Sequence, residues 1–161
     1  MKIRRKILNK IVNKLIFLFL ISIVSVQAET MFLLTKVPKV YLVVENYSSK
    51  ISMDVKKEIL DEMKAVTDEL KIDTSGYSHR TLGFILYDTT IDNHLILNID
   101  LVLGEEVKRL DDNQEVYALT YEKRQQISLD DKNNDEIQEQ LLDNIYLLLN
   151  EFTEQYKGDN I

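Results

Sequence analysis

From residue 39 onward the apolar positions of the chain change period in a definite order. "KVYLVVENY" (Lys39 to Tyr47) alternates, with Val40, Leu42 and Val44 on one side and Tyr41, Val43 and Glu45 on the other. Alternation of this kind marks a strand. Both sides are apolar as far as Val44, so an interior strand is expected. The period then lengthens. Val55, Ile59, Met63, Val66 and Leu70 recur at spacings of three and four, with Lys56, Lys57, Asp61, Lys64 and Asp68 between them. This predicts a helix over Met53 to Leu70 with one apolar stripe, capped by Ser52 and carrying Asp54 in its first turn.

Period two returns after "KIDTSGYSHRT". A strand is predicted over Thr81 to Tyr87, with "DTTIDN" as its turn. A long strand follows from His94 to about Lys108, then a turn at Asp111-Asp112-Asn113, where side chains can bond their own backbone. A return strand runs from Glu115 to about Gln126. Gly104 inside the outgoing strand marks a bulge or bend. After "SLDDKNNDE", Ile137, Leu141, Ile145, Leu148 and Phe152 form a second helical stripe, widened by Leu142, Leu149 and Tyr156. Asn133 or Asn134 is its expected cap and Gly158 its expected stop. The order β-α-β-β-β-α predicts an α+β two-layer sandwich: a mostly antiparallel sheet with two helices on one face.

Alternation also sorts the candidate residues. Leu95, Leu97, Ile99, Leu101 and Leu103 share one side of the long strand and are expected beneath the helices. The opposite side is mixed, with Asn98, Asp100, Thr120 and Glu122. Asn98 and Asp100 are the internal polar pair to inspect, because a carboxylate there has the chemistry of a general acid or base. Tyr117 and Tyr121 fall on one strand face with Leu119 between them. They are candidates for an interface, since tyrosine combines apolar area with a polar tip.

The first 28 residues differ from all this. Lys2, Arg4, Arg5, Lys6, Lys10 and Lys14 precede the apolar run "LIFLFLISIVSV", and Val26 and Ala28 are the small pair before a cleavage point. That order is the order of a secretory signal. The run is shorter than the roughly 20 residues of a membrane-spanning helix. Export with cleavage after Ala28 is expected, to the periplasm or beyond. The alternative is an uncleaved anchor in contact with the inner membrane, with the domain facing the periplasm. The expected divisions are signal 1–28, lead-in 29–38, one α+β domain over 39–157 and a tail at 158–161.

Composition then limits the function classes. The 161 residues include 20 Lys and Arg against 27 Asp and Glu; without the six leader cations, 14 basic residues face 27 acidic ones, a formal charge of −13. Such a surface repels nucleic acid and anionic lipid and suits a basic partner or a divalent cation. Cysteine is absent, so neither a disulfide nor an N-terminal lipid on cysteine is available. No GxSxG, HExxH or glycine-rich phosphate loop occurs. His79 and His94 are read as turn and strand-end residues. "DDKNND" sets Asp131, Asn133 and Asp135 at alternate positions like a calcium loop, but Glu136 stands where that loop needs glycine and Leu142 where it needs glutamate. No cofactor is expected.

The layout from Val37 to Tyr156 resembles the small α/β domains of envelope assembly and transport proteins. These include the amino-terminal domain of the TolB translocation protein and the auxiliary components of lipid or lipopolysaccharide export. Such domains open with an apolar strand ending near an Asn, as "VYLVVENY" does, followed by a helix, a meander and a second helix. The resemblance is of layout and carries over no functional residue. It implies a non-enzymatic envelope accessory that binds another protein or an apolar ligand. The alternatives are a small periplasmic hydrolase using Asp100 with Glu122 or His94, and a weakly calcium-responsive domain.

Overall fold

A computed structural model describes residues 33–160. The expected signal and residues 29–32 of the lead-in lie outside the described residues. The elements are β1 (Tyr41–Asn46), α1 (Met53–Glu69), β2 (Arg80–Ile91), β3 (His94–Lys108), β4 (Glu115–Ser128) and α2 (Asn134–Asp159). They form an α+β fold around one four-stranded mixed sheet, in the spatial order β1-β2-β3-β4.

β1 is therefore an edge strand and not the interior strand its apolar character suggests. It pairs with β2 alone, in parallel, Leu42 opposite Leu82 and Val44 opposite Phe84. A parallel pair needs a long crossover, which α1 supplies. Val55, Ile59, Met63 and Thr67 make the buried line of α1. Thr67 replaces the expected Val66, which is only partly buried, and it is tolerated there because its hydroxyl donates to the carbonyl of Met63 at 3.0 Å. Ser52 occupies the N-cap position but makes no side-chain cap bond.

β2 runs four residues past its expected end at Tyr87. The turn into β3 contracts to Asp92 and Asn93, with φ of 49° and 66°, the left-handed pair of a tight type I′ hairpin. The β3–β4 turn lies where expected, with the Arg109 N–H donating to the Gln114 carbonyl at 2.9 Å. Gly104 does mark a bulge, but the extra residue is on the other strand. Leu103 stands opposite Tyr121 while Gly104 stands opposite Leu119, so Thr120 has no residue across from it.

Both helices cover one face. Leu82, Phe84, Leu86, Leu97, Ile99, Leu101, Leu103 and Tyr121 enter the same core as the buried lines of α1 and α2. Ile137, Leu141, Ile145, Leu148, Leu149 and Phe152 are all buried, so the sheet consumes the broad stripe of α2. Asn133, and not Asn134, caps this helix through a capping box with Glu136.

α2 continues through Gly158, the expected stop, because its end is held from outside. The Leu34 N–H donates to Asp159 Oδ2 at 2.7 Å. Asn160 Nδ2 donates to the Leu34 carbonyl at 2.9 Å, and the Lys36 N–H donates to Asn160 Oδ1 at 3.1 Å. Leu34 itself is fully buried. Leu34 and Val37 of the lead-in thus belong to the core, and the backbone of Leu34 and Lys36 is clasped by residues expected to form a tail. Leu34→Ala is expected to cost about 2–5 kcal/mol, read as a lower urea midpoint; an unchanged midpoint would remove the clasp from the stable unit.

Candidate functional site

The sheet face away from the helices holds the sequence candidates, arranged in rows across the strands. One row is Glu45, Ile85, Asp100 and Arg124. Beside it, Tyr87, Asn98 and Gln126 stand in register. On the other side are Val43, Gly83, Val102 and Glu122, then Tyr41, Thr81, Gly104 and Leu119.

The polar half of this face satisfies itself. Arg124 Nε donates to Asp100 Oδ1 at 2.6 Å, and its Nη2 donates to Asp100 Oδ2 at 2.7 Å and to Glu122 Oε1 at 3.1 Å. The guanidinium sits 6.0 Å from the centroid of the Tyr87 ring, a cation–π arrangement. The Tyr87 hydroxyl donates to Asp100 Oδ2 at 3.4 Å. Hydrogen bonding to Asp100 holds the Arg124 pKa above its usual range. Burial, then the charge of Asp100, raises that of the Tyr87 phenol. Asn98 donates to the Tyr87 carbonyl at 3.2 Å and to Thr89 Oγ1 at 2.9 Å, and accepts from Gln126 Nε2 at 2.7 Å.

Asp100 is thus brought together with Glu122, but only through the guanidinium between them. His94 lies six residues along the same strand, about 20 Å away at the rise of an extended chain, and its Nδ1 is 2.6 Å from Asp130 Oδ2. Both Asp100 oxygens accept from Arg124, which stands between this carboxylate and Glu122. Within the calcium-like stretch two side chains serve the helix cap: Asn133 Oδ1 accepts from the Asp135 and Glu136 N–H groups, and Glu136 Oε2 accepts from the Asn133 N–H.

The two tyrosines separate, which corrects the expectation that they share a face. Tyr121 is fully buried against α2, edge-on to Phe152 with centroids 5.6 Å apart. Tyr117 is 56 % exposed on the open face. The bulge at Thr120 is the cause: the side-chain period is two, so one inserted residue reverses every later side chain. Thr120 itself turns its hydroxyl to the Leu103 carbonyl at 3.4 Å. Tyr117 lies over Gly104, where any Cβ would overlap its ring. Together with Tyr41, Val43, Ile85, Val102 and Leu119 it borders an open depression of about 370 Å³. Tyr41 and Leu119 are each 52 % exposed. Sequence reasoning missed Arg124, Tyr41 and Leu119 as members of this face.

No protein-family model and no curated protein matches the chain. Among solved structures, the crystal structure of a minor lipoprotein from Acinetobacter baumannii is similar over 76 % of this chain and 92 % of that one, at 12 % identity and a TM-score of 0.33. At that TM-score the likeness carries no inference about activity. Among the described residues no helix is long and apolar enough to cross a membrane.

Arg124→Gln is expected to lower stability by about 2 kcal/mol, because it strands a buried carboxylate. Adding Asp100→Asn should restore part of that loss in the same urea titration. An equal loss in the double variant would refute the coupling. The Tyr121 hydroxyl is buried with no hydrogen-bond partner, and burial pushes its pKa up. Tyr121→Phe is therefore expected to stabilise the protein by about 1 kcal/mol, while Tyr117→Phe leaves the midpoint unchanged.

Proposed function

We propose that the protein is an exported, non-enzymatic accessory of the cell envelope that binds another envelope protein through the open face of its sheet. The observation that carries this reading is the exposed group Tyr41, Tyr117 and Leu119 around a depression lined by Val43, Ile85 and Val102. Contiguous exposed apolar surface rimmed by polar residues is a mark of interaction sites. Its tyrosines bring large area with little conformational freedom to lose. The depression is an open dish on a flat layer, which suits a macromolecular partner better than an enclosed apolar ligand.

The polar half of the face supports the same reading. Asp100, Asn98, Arg124 and Gln126 bond one another, so they serve the sheet and leave recognition to the apolar half. Export rests on the basic and apolar order of the first 28 residues, with a location outside the cytoplasm whether or not that segment is cleaved. The resemblance in layout to envelope assembly and transport domains agrees with that location.

A photo-crosslinking residue placed at Tyr117 or Leu119, in the cells that make the protein, is expected to yield a discrete adduct with an envelope protein. The same residue at Tyr146, exposed on α2 on the other side of the molecule, should not. Adducts from Tyr146 alone, or none from either face position, would overturn the assignment.

A further inference from the structure

We propose that the segment received on this face is basic as well as apolar: its apolar side chains rest on Tyr41, Tyr117 and Leu119, and its lysines or arginines reach toward Glu45, Glu106 and Glu122. This rests on the reading of the open face as an interaction surface and adds the chemistry of the partner. Glu45 lines the apolar dish, and Glu106 and Glu122 stand on the same face in register with Tyr117 and Val102. Glu45 stands on β1 at one side and Glu122 on β4 at the other.

Each of these carboxylates has a side-chain partner within the chain, but none has a lysine or arginine to itself among the described residues. Glu45 Oε2 accepts from the neutral hydroxyl of Tyr47 at 2.5 Å. The hydrogen bond and charge of that carboxylate raise the phenol's pKa. Glu106 Oε2 is paired with Nδ1 of His79 at 2.7 Å. Arg124 is shared between Asp100 and Glu122, one cation against two anions. Lys39, beyond the edge of the dish, is paired with Asp73 at 3.2 Å. The open tyrosine faces add a second attraction for a cation, through the ring quadrupole.

Charge also argues against other occupants. A second copy would set a surface of formal charge −13 against its equal. A two-fold pairing of this face would bring the set Glu45, Glu106 and Glu122 against the same set of the second copy. Anionic lipid headgroups meet the same repulsion. A cationic apolar segment is instead drawn in at long range and held by desolvated contact at short range.

The test uses the exported protein, isotope-labelled for amide NMR, with three short synthetic peptides: alternating leucine and lysine, alternating leucine and glutamate, and alternating serine and lysine. The leucine–lysine peptide is expected to shift the amides of Val43, Gly104 and Leu119 and to bind at least about tenfold more tightly than the other two. Leu119→Ser should weaken it by about tenfold. Glu122→Gln should weaken it several-fold, with less salt dependence than the parent protein. Glu139→Gln, on α2, should leave binding unchanged. Leu119 is exposed, so an unaltered urea midpoint will show that its variant is folded. Equal binding of the serine–lysine peptide, shifts confined to the acidic surface between Asp130 and Asp143, or indifference to Leu119→Ser would each overturn the proposal. Crosslinks from Tyr117 to an envelope protein, combined with preference for the leucine–glutamate peptide, would remove the basic partner while leaving the interaction face intact.

Discussion

The arrangement of the open face depends on one unpaired residue. Thr120 interrupts the β3–β4 ladder between Leu103 and Gly104. Up to that point Tyr117 and Leu119 look outward; beyond it Glu122, Arg124 and Gln126 do. In an unbroken hairpin Asp100 would face Lys123, and Tyr121 would lie outside. With the insertion, Asp100 meets Arg124 in two hydrogen bonds, and Tyr121 fills the space beside Phe152. A strand has only two sides, so a single step in register decides core, ion pair and surface together.

The face is consequently divided. At one end Asn98, Gln126, Thr89, Asp100 and Arg124 exhaust much of one another's hydrogen-bonding capacity. At the other end Gly104 leaves room for the Tyr117 ring, and Val43 and Val102 flank Gly83. The space that a side chain would take at each glycine is filled by a neighbour, Tyr117 over Gly104 and Val43 beside Gly83. The networked end resists rearrangement, since opening it would leave buried polar groups without partners. The apolar end has no such constraint and can accept new contacts.

Periodicity made much of the fold legible. Both helical stripes, the long hairpin and the order of elements follow from spacings of two and of three to four. What periodicity could not show was partnership. β1 is apolar on both sides because one side meets the helices and the other borders the dish, and that pattern imitates an interior strand. The extension of β2 was hidden by the polar pair Thr89 and Thr90. The candidate site was legible only in part. Asp100 and Asn98 stood out as polar residues in an apolar strand, but their partners Arg124 and Gln126 depend on the bulge. Gly104 announced that bulge from the opposite strand, and nothing in "ALTYE" marks Thr120 as the residue to skip. The faces of Tyr117 and Tyr121 were therefore not deducible from alternation.

The clasp at Leu34 ties the two ends of the described chain together. The backbone of Leu34 and Lys36 is bound by Asp159 and Asn160, with the Leu34 side chain buried beneath. A pull along the chain at residue 33 therefore meets hydrogen bonds to the end of α2 before it reaches β1.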